Sequence, residues 1–491
     1  MLLSPQNFGE RYFVDRREEI KTGEKIVRRP RLREISSVII QFSSPRRPMR
    51  LFASPLLLLY GFILLITVGG LVLSLPVSSA DNSVTPFEDS FFTSTSAVTV
   101  TGLTVVSTSE HWSTFGTAVI FSLMLIGGLG FMSFATFLLI LIGQRISLSE
   151  GMLIRDTIGS DRLGGMAVIL RRIVFVVMGI YLAGMLAIFW QLEKIFPTGT
   201  ALWQSAFLSV SGFNNAGFTI FPDSTSLEGL PLKFPVLAFL TLLIIIGSIG
   251  WSVIIDIYRK RRFTHFTLDT KMIITASMFL WILGALVFFL AEYTNPNTIS
   301  SYSVIDKGLF AIFESISGRT AGFSTVTFNG VNDLTKLFFV SLMFVGGGAG
   351  SVAGGIKVGT FAVIVAAVMS SIRGRLQAEA FGREIPHFQV HRALTVVVLG
   401  AGLIFIVSLA LTLTEAKAGF PFLDLLFETV SAFGTAGLSM GVAPLLTLWG
   451  KIMLTIIMVV GRLGPLALAL ALTPKEEATA YRFAQERVRI G

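Results

Sequence analysis

A short pattern, F-x-[ST]-x-S-[AG], returns four times along this chain, and each copy runs on to a glycine. The copies read FTSTSAVTVTG (92–102), FLSVSGFNNAG (207–217), FESISGRTAG (313–322) and FETVSAFGTAG (427–437), the third one residue short. Their final glycines, Gly102, Gly217, Gly322 and Gly437, stand 115, 105 and 115 residues apart. A second signature follows each by 24–30 residues: GGLG (127–130), GSIG (247–250), GGAG (347–350) and GRLG (461–464). Two patterns in one order, four times over, mark a tandem repeat of about 110 residues. Whatever this chain folds into must be assembled from four copies of one unit.

The unit is built for lipid. Of 491 residues, 53% are hydrophobic and 14% charged, with mean hydropathy +0.75, too little polar surface for a soluble protein of this size. Each unit is expected to open with a long apolar helix (52–75, 166–195, 270–293 and 393–414). The short patterned segment follows, and a second long helix closes the unit (113–143, 233–258, 335–372 and 447–472). A dozen or so apolar residues are too few to cross a bilayer, which takes about 20, but they suit a helix that dips in and returns. The fold expected is an all-α polytopic membrane protein of four tandem helix–pore-loop–helix repeats. Eight spanning helices and four re-entrant pore helices would surround one central pore. The repeats run 51–145, 146–260, 261–375 (with an interrupted closing helix) and 376–473. A basic tail (1–50) precedes them and a shorter one (474–491) follows.

Thirty of the 39 Lys and Arg lie in the two tails and in the connections 144–172, 259–271 and 373–392. By the positive-inside rule those connections and both termini are cytoplasmic, so the short helices enter from outside. Charge placed this way marks topology and calls for no nucleic acid; RPRLREISSVIIQFSSPRRPMR can also lie along anionic lipid. The first 50 residues carry no recognisable removable signal peptide. With no cysteine and four histidines, no metal-ligand pattern emerges. His387 and His391, at i and i+4, read as a solvated pair in a charged connection.

Helix start signals precede the short segments: Pro86-Phe87-Glu88-Asp89, Pro421-Phe422-Leu423-Asp424, Asp306 in the third copy and only Thr198 in the second. The C-terminal, partly negative helix ends then point to the membrane centre, where four together favour a cation. The chain returns as Val100-Thr101-Gly102, Asn215-Ala216-Gly217, Thr320-Ala321-Gly322 and Thr435-Ala436-Gly437. Small residues let four such strands approach one axis, and carbonyl oxygens facing it replace the hydration shell of a dehydrated cation. No carboxylate stands among these twelve residues, which favours a monovalent, weakly hydrated ion such as K⁺ over Ca²⁺ or Mg²⁺. Close helix packing alone would explain one such copy, not four.

The third closing helix contains FVGGGAGSVAGGIKVGT (344–360). Gly346, Gly347, Gly348, Gly350, Gly354 and Gly355 fall within ten residues. At about 1 kcal/mol each they would cost a helix about 6 kcal/mol, so a break is expected. A loop below the third filter segment can obstruct conduction, and Lys357 follows it. The stretch lacks G-x-x-x-x-G-K-[ST], which argues against a nucleotide loop. Arg462 replaces the small residue found at Gly128, Ser248 and Gly348. An arginine at membrane depth faces protein or a wet cavity. It would serve as an electrostatic barrier, pair with the loop's carbonyls, or form a salt bridge with a neighbouring carboxylate. Arg319 would repel K⁺ if it faced the axis, so it is expected to turn away and brace the loop. Glu314 and Glu428 are expected to accept from filter-loop N–H groups or from Arg319.

VTVTGLTVV, NNAGF, RTAGF and GTAGL are similar to the four filter segments of the Trk/Ktr/HKT superfamily of potassium transporters, and the resemblance covers residues 50–475. Lacking the extra N-terminal helix pair of Trk-type subunits, the chain looks more like the Ktr-type membrane subunit (KtrB). The resemblance implies one pore per chain, a homodimer and a cytoplasmic ring of KtrA-like nucleotide-binding regulatory subunits. It also implies Na⁺-dependent K⁺ uptake across the plasma membrane, with Na⁺ as activator and no covalent cofactor. The glycine-rich stretch resembles the superfamily's intramembrane gating loop, and a basic residue stands where Arg462 does.

A potential of 100 mV, inside negative, is worth about 2.3 kcal/mol per charge, or about fiftyfold accumulation, so uptake needs no ATP hydrolysis here. A secondary transporter with broken helices is the alternative, though such folds more often have inverted halves and a midplane carboxylate. A membrane enzyme would need a catalytic constellation at membrane depth, and none appears.

Overall fold

The computed structural model describes residues 55–130, 166–221, 226–228 and 234–464, with side-chain environments from Leu59 in the first helix and from Arg171 in the fourth. Both expected tails and the connection at 144–165 lie outside the described residues. Repeat 1 contains α1 (Pro55–Leu73), the pore helix α2 (Phe87–Thr99) and α3 (Thr114–Leu129). Repeat 2 contains α4 (Met166–Leu192), the pore helix α5 (Thr198–Phe213), α6 (Phe234–Ile249) and α7 (Trp251–Lys260). Repeat 3 contains α8 (Leu268–Glu292), the pore helix α9 (Val304–Thr320), α10 (Asp333–Phe344) and α11 (Val358–Ile372). Repeat 4 contains α12 (His387–Thr414), the pore helix α13 (Phe422–Gly434) and α14 (Leu448–Leu463). A two-stranded hairpin, β1 (Ala378–Ala380) with β2 (Arg383–Ile385), joins α11 to α12 and is the one sheet among the described residues.

Local chemistry starts these helices where they start. Ser113, Thr267, Ser303 and Thr447 each turn a hydroxyl onto the N–H three residues on, at 3.1, 3.3, 3.3 and 3.4 Å. Glu88 and Asp89, Asp306 and Asp424 lie in the first turns of three pore helices, while the second has no acid there. At 13 residues, α2 and α13 are about 20 Å long, short of a bilayer's hydrocarbon core.

The patterned hydroxyl ties each pore helix to its opening helix. Ser94 donates to the Ile66 carbonyl (2.8 Å), Ser209 to Tyr181 (2.8 Å) and Ser315 to Trp281 (2.7 Å). Gly69, Gly184 and Gly284 stand over these hydroxyls; a Cβ at any of them would collide with the serine oxygen. Thr429 in repeat 4 bonds its own helix at Leu425 instead. The pattern phenylalanines, Phe92, Phe207, Phe313 and Phe427, are all buried.

Each closing helix packs on the pore helix of the next repeat, and α14 packs on α2, so the repeats form a closed ring. Lys336 meets Asp424 at 3.0 Å between repeats 3 and 4, and Lys451 meets Asp89 at 2.7 Å between repeats 4 and 1. Both pairs are largely buried. The matching positions are Thr117 and Gln204 between repeats 1 and 2, and Leu237 and Phe310 between repeats 2 and 3.

Two expectations are corrected. The second, third and fourth opening helices are single helices long and apolar enough to span, but the closing helices are not continuous. The expected 233–258 helix is α6 and α7, bent by 97° at Gly250. In repeats 1 and 4 the helix ends at Gly130 and Gly464; 131–143 and 465–472 lie outside the described residues. In repeats 1, 2 and 4 the cause is the last glycine of the second signature, which takes φ of +79° (Gly130), +98° (Gly250) and +88° (Gly464). Gly350 is also left-handed (+69°), but in repeat 3 the helix already stops at Phe344. Interruption is thus a property of all four units, not of the third alone. The second correction is local: His387 and His391 sit in the first turns of α12, exposed, rather than in a connection.

Candidate ion pathway and gate

Gly102, Gly217, Gly322 and Gly437 hold φ of +89°, +72°, +74° and +86°. A Cβ on Gly102 would strike the carbonyl oxygen of Ala216, one on Gly217 that of Ala321, one on Gly322 that of Ala436, and one on Gly437 that of Thr101. The order runs from repeat 1 to 2, 3, 4 and back to 1. Four segments far apart in the chain therefore gather round one centre. Backbone, not side chain, lines the meeting point, and there is no room for a methyl group. Val100, Thr101, Asn215, Ala216, Thr320, Ala321, Thr435 and Ala436 are all buried around it.

In three repeats the chain leaves the pore helix through a left-handed residue: Val100 (φ +56°), Asn215 (+56°) and Thr435 (+47°). The next N–H then returns to the pattern serine's carbonyl, Thr101 to Ser96 (2.8 Å), Ala216 to Ser211 (2.8 Å) and Ala436 to Ser431 (2.9 Å). The missing residue of the third copy is this left-handed one. There α9 continues to Thr320, and the N–H of Gly322 itself reaches Ser317 (3.0 Å). Side chains bond sideways: the Asn215 amide and Thr320 hydroxyl join repeats 2 and 3 at 3.2 Å, and Thr99 pairs with Thr101 at 2.7 Å.

Two buried carboxylates hold the outgoing strands. Glu314 accepts from the N–H and hydroxyl of Thr325 (both 2.7 Å) and from the Ser324 hydroxyl (3.2 Å). Glu428 accepts from the Ser439 hydroxyl (2.6 Å) and the N–H groups of Met440 (2.9 Å) and Val442 (3.3 Å). Both meet the expectation of bracing loop N–H groups, and neither bonds Arg319. Repeats 1 and 2 have Thr93 and Leu208 at this position.

The glycine-rich stretch is a loop from Val345 to Lys357, between α10 and α11. Its ends are zipped together: Gly346 N–H donates to Ile356 (2.8 Å) and Val358 N–H to Gly347 (2.9 Å). Between them it uses carbonyls left free by breaks in other repeats. Gly348 N–H donates to Ser248 (2.8 Å), Val352 N–H to Gly247 (3.2 Å) and Gly355 N–H to Gly461 (3.2 Å). At the filter, Gly354 N–H donates to the Thr435 hydroxyl at 3.0 Å, and a Cβ on Gly354 would collide with that side chain. The glycines thus allow backbone to lie on backbone.

Three cations serve the loop through its carbonyls. Arg462 donates to Val352 and, across to repeat 1, to Gly127 (2.6 Å). Lys357 donates to Ala353 (2.6 Å). Arg319 turns away from the filter and donates to Val345 (3.0 Å) and Gly346 (2.6 Å). Among the described residues none of the three pairs with a carboxylate. For Arg462, loop-carbonyl pairing is therefore the geometry observed, rather than the salt bridge.

Sequence reasoning missed Gly69, Gly184 and Gly284, although they recur at nearly the repeat period, because isolated glycines in apolar helices carry no motif. It also missed the first glycine of the second signature as a contact. A Cβ on Gly127, Gly247 or Gly461 would strike the carbonyl of Val98, Phe213 or Phe433 at the end of its pore helix.

The model of the cation transport protein family TrkH matches residues 65–481. The chain is 37% identical over 428 residues to the Ktr system potassium uptake protein B of Bacillus subtilis, covering 87% of this chain and 94% of that protein. It is 32% identical over 436 residues to the potassium/sodium uptake protein NtpJ of Enterococcus hirae, covering 88% and 96%. The crystal structure of the potassium transporter TrkH from Vibrio parahaemolyticus superposes with a TM-score of 0.67 at 21% identity, covering 85% of this chain and 84% of that one. That likeness is one of fold.

Proposed function

We infer, since this chain belongs to the TrkH family of cation transport proteins, that it carries K⁺ inward across the plasma membrane through a gated pore lined by backbone carbonyls. One observation carries the reading: the four filter glycines close a ring in which each leaves room only for its neighbour's carbonyl. Such a ring strips water from a weakly hydrated ion and replaces it with peptide oxygens. Val100, Thr101, Gly102, Asn215, Ala216, Gly217, Thr320, Ala321, Gly322, Thr435, Ala436 and Gly437 form the filter in this reading. The loop from Gly346 to Gly355, with Lys357 and Arg462, forms the gate below it. The names of the relatives in Bacillus subtilis and Enterococcus hirae support K⁺ as cargo, and the latter's name includes sodium. Dependence on Na⁺, a homodimer, a nucleotide-binding cytoplasmic ring and cytoplasmic termini belong to the same proposal.

Broken helices also suit an ion-coupled secondary transporter. The four units, however, repeat in one direction round a neutral filter, which favours the pore. The test is growth at low K⁺ of a K⁺-uptake-deficient bacterium expressing this chain with a Ktr-type regulatory subunit. Wild type is expected to rescue growth, Gly437→Asp to lose uptake or selectivity, and deletion of 346–355 to give ungated flux. Failure of the wild type to rescue would overturn the reading.

A further inference from the structure

Arg319 is the largest fully buried side chain of the described residues. It occupies the last turn of the third pore helix, immediately before Thr320-Ala321-Gly322. Burying a guanidinium is costly unless its donors are satisfied. Here Nε and Nη2 are met by carbonyls of Val345, where α10 stops, and of Gly346, where the loop begins, while Nη1 has no hydrogen-bond partner among the described residues. A helix C-terminus offers unpaired carbonyls and partial negative charge, so it serves a buried cation in place of a carboxylate. The Trp281 ring, 5.6 Å from the guanidinium carbon, adds a cation–π contact. The matching residues in the other repeats, six after the pattern phenylalanine, are Val98, Phe213 and Phe433. Arginine stands only in the repeat whose closing helix opens into the loop. The loop's returning strand meets the fourth filter segment differently, through one neutral bond from Gly354 to Thr435.

We propose that Arg319 is a positioning residue that pins the root of the loop, where Gly346 is bonded to Ile356, to the third filter segment, so that the stretch between the two zipped ends moves as a flap on that root. The inference rests on the gated-pore reading. Arg319 touches no ion; it acts by fixing what the filter and the gate share. The planar fork spans two successive carbonyls, which a lysine's single ammonium does not.

The test uses the full chain in proteoliposomes, with flux counted per inserted protein. Because the chain has no cysteine, Ser351→Cys supplies one label in the loop. Wild-type K⁺ flux tests the gated-pore reading by itself. Given that flux, Arg319→Gln is expected to raise resting K⁺ leak and speed thiol labelling at position 351, each about threefold or more, with Arg319→Lys between. In a chain lacking 348–355, Arg319→Gln is expected to add no further leak. Unchanged leak and labelling in both variants would overturn the proposal, as would a Gln effect that persists undiminished without the loop. Should the Gln variant fail to insert, the Lys variant decides: wild-type labelling and leak overturn the proposal, and faster labelling with raised leak supports it.

Discussion

Repeats 1 and 2 and repeats 3 and 4 use one scaffold but hold it in different ways. In the second half, the strand leaving each filter segment is gripped by a buried carboxylate, Glu314 or Glu428. The link from opening to closing helix is gripped by another. Glu292 accepts from Asn332 N–H (2.9 Å), and Glu415 from Thr447 N–H (3.2 Å). The first half has no acid at Thr93 or Leu208, and Ser113 makes the closing-helix link in repeat 1 through its N–H to Ser78 (2.9 Å) and its hydroxyl to Val77 (2.7 Å). The ion pairs that join repeats follow suit, since both involve repeat 4. Charge-assisted bonds are about twice as strong as neutral ones, so the half that carries the loop is also the half with the stiffer frame. On the proposed reading of the loop as a flap, these carboxylates would give it a fixed seat.

The largest effect should ignore this division. Gly102→Ala and Gly437→Ala both drive a methyl into a neighbouring carbonyl, so Rb⁺ uptake should fall more than about tenfold in each, whichever half is altered. Unequal losses would show that the ring does not bear on all four segments alike. Next come the braces. Glu428→Gln removes charge from three bonds and should cut K⁺ uptake or K⁺/Na⁺ selectivity by about tenfold, whereas Thr93→Ala should change either by less than about twofold. Equal effects would abolish the distinction between halves. Lys451→Met leaves Asp89 buried and unpaired and should cost about 3–5 kcal/mol in detergent unfolding, largely recovered by adding Asp89→Leu. A double variant as unstable as the single one would remove the pair from the ring's closure. The smallest effect is expected from Ser315→Ala, about 1 kcal/mol read as a lowered thermal midpoint, with Thr429→Ala lower still because its bond is internal to one helix.

Much of the site was legible in residue type. The glycine that ends each copy, the neutral filter, the proline and acid start signals and the glycine-dense loop each state a local backbone requirement. The roles of Glu314, Glu428 and Arg319 were legible in outline, because a charge at membrane depth must find a partner. Their partners were not. Nothing near Arg319 in the chain says that its donors meet Val345 and Gly346, and nothing near Arg462 names Gly127. The breaks at Gly130, Gly250 and Gly464 were missed because one glycine costs a helix only about 1 kcal/mol, too little to decide the matter locally.

By itself the sequence determined that four like units each send a short helix and a small-residue strand into the membrane, since hydrophobic length and glycine placement act over a few residues. Only the tertiary structure decided which carbonyl faces which glycine, where the closing helices bend, and how a loop in one repeat lies on the broken ends of two others. Those outcomes depend on close approach between segments a hundred or more residues apart, where the bare backbone looks the same from every direction until packing selects its neighbour.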